Sequence, residues 1–230
     1  MNHQDLPTLE AEARFWARGM ERVAGLDEAG RGAWAGPVVA AAVILPCGDG
    51  VVAALDGVRD SKQMTAAARE RLAIRIRDVA LATGVGRAEH HEIDALGIVP
   101  ATRLAMQRAL AALAVAPQAL VIDALRLPGV HLPQDAFPYA DARSLSVAAA
   151  SIIAKVTRDR WMAEVAEAEC PGYGFAQHKG YGTQQHQQAL DRLGICPLHR
   201  LTFRPVAEGV AASAKIATAN LANLRESPEL

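Results

Sequence analysis

Residues 22–45 read RVAGLDEAGRGAWAGPVVAAAVIL, and this stretch decides the fold class. Arg22–Asp27 is a short apolar run that ends in charge. Pro37–Leu45 is a second apolar run, rich in β-branched residues. The glycine-rich segment Gly30–Gly36 lies between them, so the two are expected to pair as neighbouring strands. The uncharged stretch Ala33–Pro46 falls short of the ~18–20 residues that span a bilayer, and it contains Pro37, so it reads as a buried strand.

Downstream, helical and extended patterns alternate. Thr65 can cap a helix from Ala66 to about Leu81, with Leu72, Ile76 and Val79 along one face. Gly84–Ala88 reads as a third strand, and Glu92–Gly97 and Thr102–Leu113 as helices. Ala119–Asp123 (ALVID) is a compact buried strand with an acid at its end. A short strand is expected near Phe137–Asp141. Ser146–Ala154 (SVAAASIIA) holds nine residues without a charge, the mark of a core helix, which continues with an amphipathic pattern to about Ala168. Thr183–Leu193 is another helix, and Pro205 precedes an Ala-rich C-terminal helix to about Leu224. Residues 1–20 read as a short helical or frayed extension. This order predicts an α/β or α+β layer with a mixed sheet.

The chain has 230 residues, of which 51% are hydrophobic and 21% charged. That suits one domain with an appended helical element and excludes a mainly disordered chain. The net charge of −1 argues against a protein that coats nucleic acid, so a nucleic-acid partner would need a local basic patch. Cys47, Cys170 and Cys196 are too few and too far apart for a disulfide framework or a zinc site, which favours a reducing compartment. No signal peptide is read at the N-terminus, so a cytoplasmic location and no membrane contact are expected; a monomer is expected as well.

Three apolar segments end in acid. Asp27 and Glu28 follow the first run, Asp123 follows ALVI, and Asp141 follows the segment before the core helix. Each alone reads as a solvated strand end. If the sheet brings these ends together, the crowded charge raises pKa values or demands a cation. Carboxylates without Cys or His at ligand spacing favour a hard ion such as Mg²⁺ or Mn²⁺ over zinc. Gly30-Arg31-Gly32 follows at once, and glycines there let backbone N–H groups approach a ligand. By itself it equally fits a plain turn. Asp60-Ser61-Lys62 fits a phosphate contact, but better a helix lead-in. YGFAQHKGYGT at 173–183 joins two tyrosines, His178, Lys179 and three glycines, a composition suited to stacking on a sugar or base beside a phosphate, and equally to a glycine-rich loop with half-buried tyrosines. His199-Arg200, close to Arg204, adds positive charge.

Together these pieces resemble bacterial ribonuclease HII, the type 2 ribonuclease H. The matching segments are AGLDEAGRGAWAGPVVAAAVIL, DSKQM, RAEHHEIDALGI, ALVIDALRLP, DARSLSVAAASIIAKVTRDRWM, YGFAQHKGYGT and HRLTFRPV, in family order over roughly residues 22–206. The resemblance implies a ribonuclease H-like α/β fold, with a mixed five-stranded sheet flanked by helices and a helical C-terminal extension. The expected organisation is an N-terminal extension (1–21), the catalytic domain (22–206) and a C-terminal helix and tail (207–230).

It also implies an endonuclease that cuts the RNA strand of RNA–DNA hybrids and cuts at ribonucleotides embedded in duplex DNA. The family's four acids fall on Asp27, Glu28, Asp123 and Asp141, and its ribose-reading motif falls on Gly30, Arg31 and Gly32. Its junction-sensing tyrosine falls on Tyr181, with Tyr173 the lesser candidate. The acid before the long helix usually follows a glycine, and here it follows Ala140. Type III relatives carry a further N-terminal domain, whereas about 21 residues precede the first motif here, so type II is expected. Two Mg²⁺ or Mn²⁺ ions with substrate bound, and products ending in 5′-phosphate and 3′-hydroxyl, are the expected chemistry. Lys62, Lys155, Lys179 and Arg200 are candidate phosphate contacts, although Lys155 equally fits a lysine snorkelling from a buried helix. Competing readings are another metal-dependent nuclease of this fold, a non-catalytic hybrid-binding protein and, more distantly, a two-carboxylate sugar hydrolase.

Overall fold

A computed structural model describes residues 6–209, in two compact units. The first comprises 6–31 and 37–159, the second 32–36 and 160–209.

The first unit runs α1 (Glu10–Trp16), β1 (Val23–Ala29), β2 (Val38–Ile44), α2 (Gly50–Ala54), α3 (Ala66–Val79), β3 (Ala82–Ala88), α4 (His90–Leu96), α5 (Ile98–Ala111), β4 (Ala119–Asp123), β5 (Gln134–Phe137) and α6 (Leu145–Trp161), whose last turn passes into the second unit. The sheet order is β3-β2-β1-β4-β5. β1 pairs antiparallel with β2, as the two apolar runs predict, and parallel with β4. The expected mixed five-stranded sheet with flanking helices is therefore present.

Register assigns the two faces of the sheet. Gly25 and Asp27 of β1 share a face with Val43 and Ala41 of β2, while Leu26 and Glu28 share the opposite face with Gly84 and Gly86 of β3. α6 covers the first face. A Cβ at Gly25 would lie 2.3 Å from the Ser146 carbonyl carbon, so the helix crosses directly over the strand. α5 covers the second, its Ala105 and Ala109 carbonyls seated where Cβ atoms at Gly86 and Gly84 would be. The first part of α6, Leu145 to Ala154, is buried all round, as its uncharged sequence demands.

Three boundaries differ from expectation. α5 starts at Ile98 rather than Thr102, because Pro100 falls in the first turn, where a missing N–H costs nothing. β5 ends at Phe137. Tyr139 takes a left-handed backbone (φ 59°), which ends extended structure and puts Asp141 in a 3₁₀ turn over Ala140–Ala142 rather than on a strand. The helix beyond α6 loosens into a π-turn over Met162–Ala166.

The second unit holds this π-turn, α7 (Glu167–Glu169), α8 (Phe175–His178) and α9 (Gln184–Leu193), and residues 204–209 are helical. Thr183 caps α9 through the His186 amide. Residues 32–36 thread this unit as an extended segment, with Ala33 bridging Tyr181 and Ala35 bridging His199. The C-terminal helix expected beyond residue 209 lies outside the described residues, as do residues 1–5. Among the described residues, no helix is long and apolar enough to cross a membrane.

Candidate active site

β1 and β4 run parallel with Leu26 opposite Ile122. The next residue on each strand is an aspartate, so Asp27 and Asp123 emerge side by side on the α6 face. β5 then returns the chain to them. The Ala140 amide donates to Asp123 Oδ1 at 2.8 Å, and this bond draws the 3₁₀ turn carrying Asp141 against the end of β4. Asp27 and Asp141 are each only 5% exposed. Glu28 leaves β1 on the opposite face and takes Arg31 as a partner, whose guanidinium donates to Oε1 at 3.1 Å. Its Oε2 is buried with no hydrogen-bond partner.

The electrostatics follow from this crowding. Burial first, then the Glu28 and Asp123 carboxylates, with Asp141 behind them, hold Asp27 well above the usual carboxylate range, against the Glu28 amide bonded to its Oδ1. Burial also lifts Glu28, outweighing Arg31. Burial lifts Asp141, with Asp60 and Asp123 adding to it and Lys62 opposing. Lys62 Nζ stands 3.7 Å from Asp141 Oδ2. Burial pulls its ammonium down, but Asp141, Asp27, Asp60 and Asp123 outweigh it and the net shift is upward. The four expected acids thus share one electrostatic neighbourhood that favours cations.

The glycines of the Gly30-Arg31-Gly32 segment differ in kind. Gly30 has φ 95° and no room for a Cβ, which would meet Arg158 Nε at 2.0 Å. Gly32 is exposed, with nothing within 4 Å of a Cβ position. Gly30 is therefore a structural requirement, whereas Gly32 leaves open space.

A family model described as "Ribonuclease HII" matches residues 24–206. Ribonuclease HII of Chloroflexus aurantiacus is 58% identical over 206 residues, covering 89% of this chain and 97% of that protein. Ribonuclease HII of Thermus thermophilus is 56% identical over 197 residues, covering 86% and 93%. The chain belongs to the ribonuclease HII family. The solved ribonuclease H2 of Pyrococcus horikoshii superposes with a TM-score of 0.66 at 27% identity, over 82% of this chain and 96% of that one. This ribonuclease HII family member is accordingly a ribonuclease H, a metal-dependent endonuclease.

The residues present fit a divalent ion. Glu28 Oε2 is buried without a hydrogen-bond partner, burial and like-charged neighbours hold Asp27 well above the usual carboxylate range, and Asp141 has Lys62 at 3.7 Å but is still raised. Among the described residues, no three His, Cys, Asp or Glu side chains already form a complete ligand set. Mg²⁺ does not need one, since it keeps several waters and binds one or two carboxylates together with substrate phosphate.

The other expected substrate contacts fare differently. Lys155 is engaged one helical turn along α6, donating to Asp159 at 2.9 Å. Lys179 sits in a left-handed turn (φ 54°) and donates to the Ala176 carbonyl. Tyr181 is half-buried and pairs with Ala33, the residue bonded to Gly32. Tyr173 is buried, its hydroxyl donating to the Gly194 carbonyl at 2.8 Å. Arg200 is a correction. It is fully buried, donates to the Gly36 carbonyl at 2.9 Å and lies 5.0 Å from the Phe203 ring centre, so it clamps residues 34–36 rather than facing a phosphate.

Three features escape the sequence reading. Glu12 of α1 is buried, and its Oε1 accepts from the Ser144 hydroxyl, the Ser146 hydroxyl and the Ser146 amide at the start of α6. Arg158 is fully buried and donates to the Pro37 carbonyl at 2.9 Å. Its signal was present, because it falls on a buried stripe with Val147, Ser151 and Ala154. In the second unit, His186 links Tyr181 to His199. His186 Nδ1 lies 3.0 Å from the Tyr181 carbonyl, His186 Nε2 lies 3.1 Å from His199 Nε2, and the Cys196 amide donates to His199 Nδ1 at 2.9 Å. Neutral rings satisfy all three bonds, with hydrogen on His186 Nδ1 and on His199 Nε2.

Proposed function

We propose that this protein hydrolyses the RNA strand of RNA–DNA hybrids and cuts at ribonucleotides embedded in duplex DNA. The observation that carries the reading is the in-register pair Asp27 and Asp123, with Asp141 drawn in by the Ala140–Asp123 bond. Asp27 and Asp123 would be the central ligands for Mg²⁺ or Mn²⁺, with Glu28 and Asp141 completing two sites. Ions held there would supply the charge that activates water and stabilises the departing 3′ oxygen. The oxygen of water bonds to phosphorus and the P–O3′ bond breaks, leaving 5′-phosphate and 3′-hydroxyl ends.

Selectivity belongs to other groups. The 2′-hydroxyl separates RNA from DNA because it both donates and accepts. Backbone at Gly30–Gly32 bonds that hydroxyl, and Arg31, tied to Glu28, holds the segment beside the acids. Tyr181 packs on the neighbouring deoxyribose, and its bridge to Ala33 couples it to Gly32 along the chain. A site shaped for a hydroxyl rejects a sugar lacking one, because its own polar groups are left unpaired. Lys62 contributes a phosphate contact.

The test is incubation of the whole chain with three labelled duplexes: an RNA–DNA hybrid, DNA holding one ribonucleotide, and all-DNA. Mg²⁺, Mn²⁺ and chelator are compared. Cleavage of the first two only, lost with chelator and leaving polymerase-extendable 3′ ends, is expected. Binding without cleavage in both metals would instead make this a hybrid-binding protein, and cutting of all-DNA junctions would make it a different nuclease.

A further inference from the structure

A second feature of the first unit carries charge that the acidic site does not use. The chain as a whole has a net charge of −1, yet Arg59–Arg77 holds six basic residues and two acidic ones. Three of the six, Arg59, Arg71 and Arg75, line one cleft of about 650 Å³ with Met64 and Leu72 among its apolar walls and Asp56 as its carboxylate. That volume lies within the range of roughly 300–1,000 Å³ that holds ligands. The guanidinium groups of these three arginines make no hydrogen bond or ion pair with another described residue, and Arg59 Nε is buried without an acceptor. Arg71 and Arg75 lie one turn apart on α3 and so present their guanidinium groups together. A buried donor without an acceptor is costly, and guanidinium groups match phosphate oxygens in pairs.

The cleft also adjoins the acidic site along the chain. Arg59 and Met64 flank the 3₁₀ turn Ser61–Gln63, and the Lys62 ammonium in that turn stands 3.7 Å from Asp141. Arg69 of α3 pins the turn by donating to the Ser61 and Met64 carbonyls at 2.8 and 2.7 Å. Backbone from Lys62 to Arg59 spans at most about 11 Å, or about three base pairs of duplex.

We infer that the Arg59–Arg71–Arg75 cleft is an outlying phosphate-backbone site, which grips the nucleic-acid duplex a few base pairs from the cut. The inference rests on the hybrid-cleaving reading above. A polymer of phosphates suits the cleft better than an acidic peptide, because on that reading the same duplex would also meet Lys62, which is joined to the cleft by the Arg59–Met64 segment.

The experiment measures duplex binding by the whole chain in chelator, by fluorescence anisotropy across a salt series. Wild type is compared with Arg71→Gln/Arg75→Gln, a double change on an exposed helix face, whose folding is checked by thermal melting. On a long duplex with one central ribonucleotide, the variant should bind about tenfold more weakly at moderate salt, and its slope of log K against log[salt] should be shallower by about 2. Shortening the flank on one side of the ribonucleotide should abolish the difference. Equal affinities and equal slopes overturn the inference. So does a loss confined to a polyglutamate peptide, which would assign the cleft to an acidic protein partner. If wild type neither binds nor cuts these duplexes, the functional reading fails instead, so the two failures are distinguishable.

Discussion

Asp27 is where burial and like charge meet, and its energetics have a sign that can be measured. Its pKa lies well above its ordinary value of 3.8, so the folded metal-free state holds a proton that the unfolded chain would release. Stability from this source is complete below about pH 3.8 and is lost as pH rises through the folded value. At neutral pH the ionised site is a cost that a bound cation offsets. Asp27→Asn should therefore raise the metal-free Tm while reducing cleavage by at least a hundredfold, and Mg²⁺ should raise the Tm of wild type more than that of the variant. Thermal melts at pH 7.5 with and without Mg²⁺ decide this, and a lower metal-free Tm for Asp27→Asn would refute the crowding argument. The neighbouring glycines give a second contrast. Gly30→Ala forces a side chain into a left-handed backbone and onto the buried Arg158, costing about 1–3 kcal/mol or more in urea unfolding. Gly32→Val meets open space, so it should unfold like wild type and lose cleavage at an embedded ribonucleotide. Asp27, Glu28 and Asp123 were legible because acids closing apolar runs stand out. Arg200 misled, because a cation in a loop reads alike whether it faces a ligand or a buried carbonyl.

At the scale of elements, the apolar runs located the strands and α6, since period and burial are written in side-chain type. Backbone geometry was not so written. The left-handed Tyr139 that turns the chain before Asp141 has no compositional mark, unlike a glycine. α5 likewise starts four residues earlier than its apolar pattern indicated, since the first helical turn accepts Pro100. Contacts distant in sequence were least visible, and Glu12 is the plainest case. Alone it reads as a solvated acid in an N-terminal helix. Folded, its carboxylate sits at the N-terminus of the 17-residue α6, where the helix dipole favours negative charge, and its Oε1 accepts three hydrogen bonds. Glu12→Ala strands those donors, so a loss of about 3 kcal/mol is expected from bonds to a charged acceptor and the lost cap. Glu12→Gln keeps an acceptor oxygen and should lose less. Urea denaturation of both variants checks the order, and equal losses would mean that packing rather than charge sets the effect.

Across the whole molecule, the two units should answer acid in opposite directions. In the first, protonation relieves Asp27, Glu28 and Asp141, each raised by burial, so metal-free stability grows as pH falls. In the second, burial, aided by His178 and His199, lowers His186 to about 4, against the bonds to the Tyr181 and Gly180 backbone. His178 stacks on its ring at 4.4 Å, and Phe175 and Trp34 lie at 5.5 and 5.3 Å. A histidine depressed on folding contributes its full stability above its unfolded value of 6.5 and loses it as pH falls towards 4. The loss amounts to roughly 3 kcal/mol at about 1.4 kcal/mol per pKa unit. Protonation also sets two N–H groups against each other between His186 and His199, breaking the bond between the two rings while His186 Nδ1 still donates to the Tyr181 carbonyl. The Glu92–Arg108 pair does not confuse this window, because Glu92 lies at about 2 and its contribution fades only below about pH 4.5. The tryptophans allow the units to be read separately, since Trp16 lies in the first and Trp34 and Trp161 in the second. In a Trp16→Phe variant, metal-free urea unfolding followed by fluorescence should shift to lower urea between pH 6.5 and 4. The same titration with His186→Asn, which keeps a donor for Tyr181 but cannot titrate, should lose most of that shift. An unchanged shift in His186→Asn would move the acid sensitivity away from the histidine cluster.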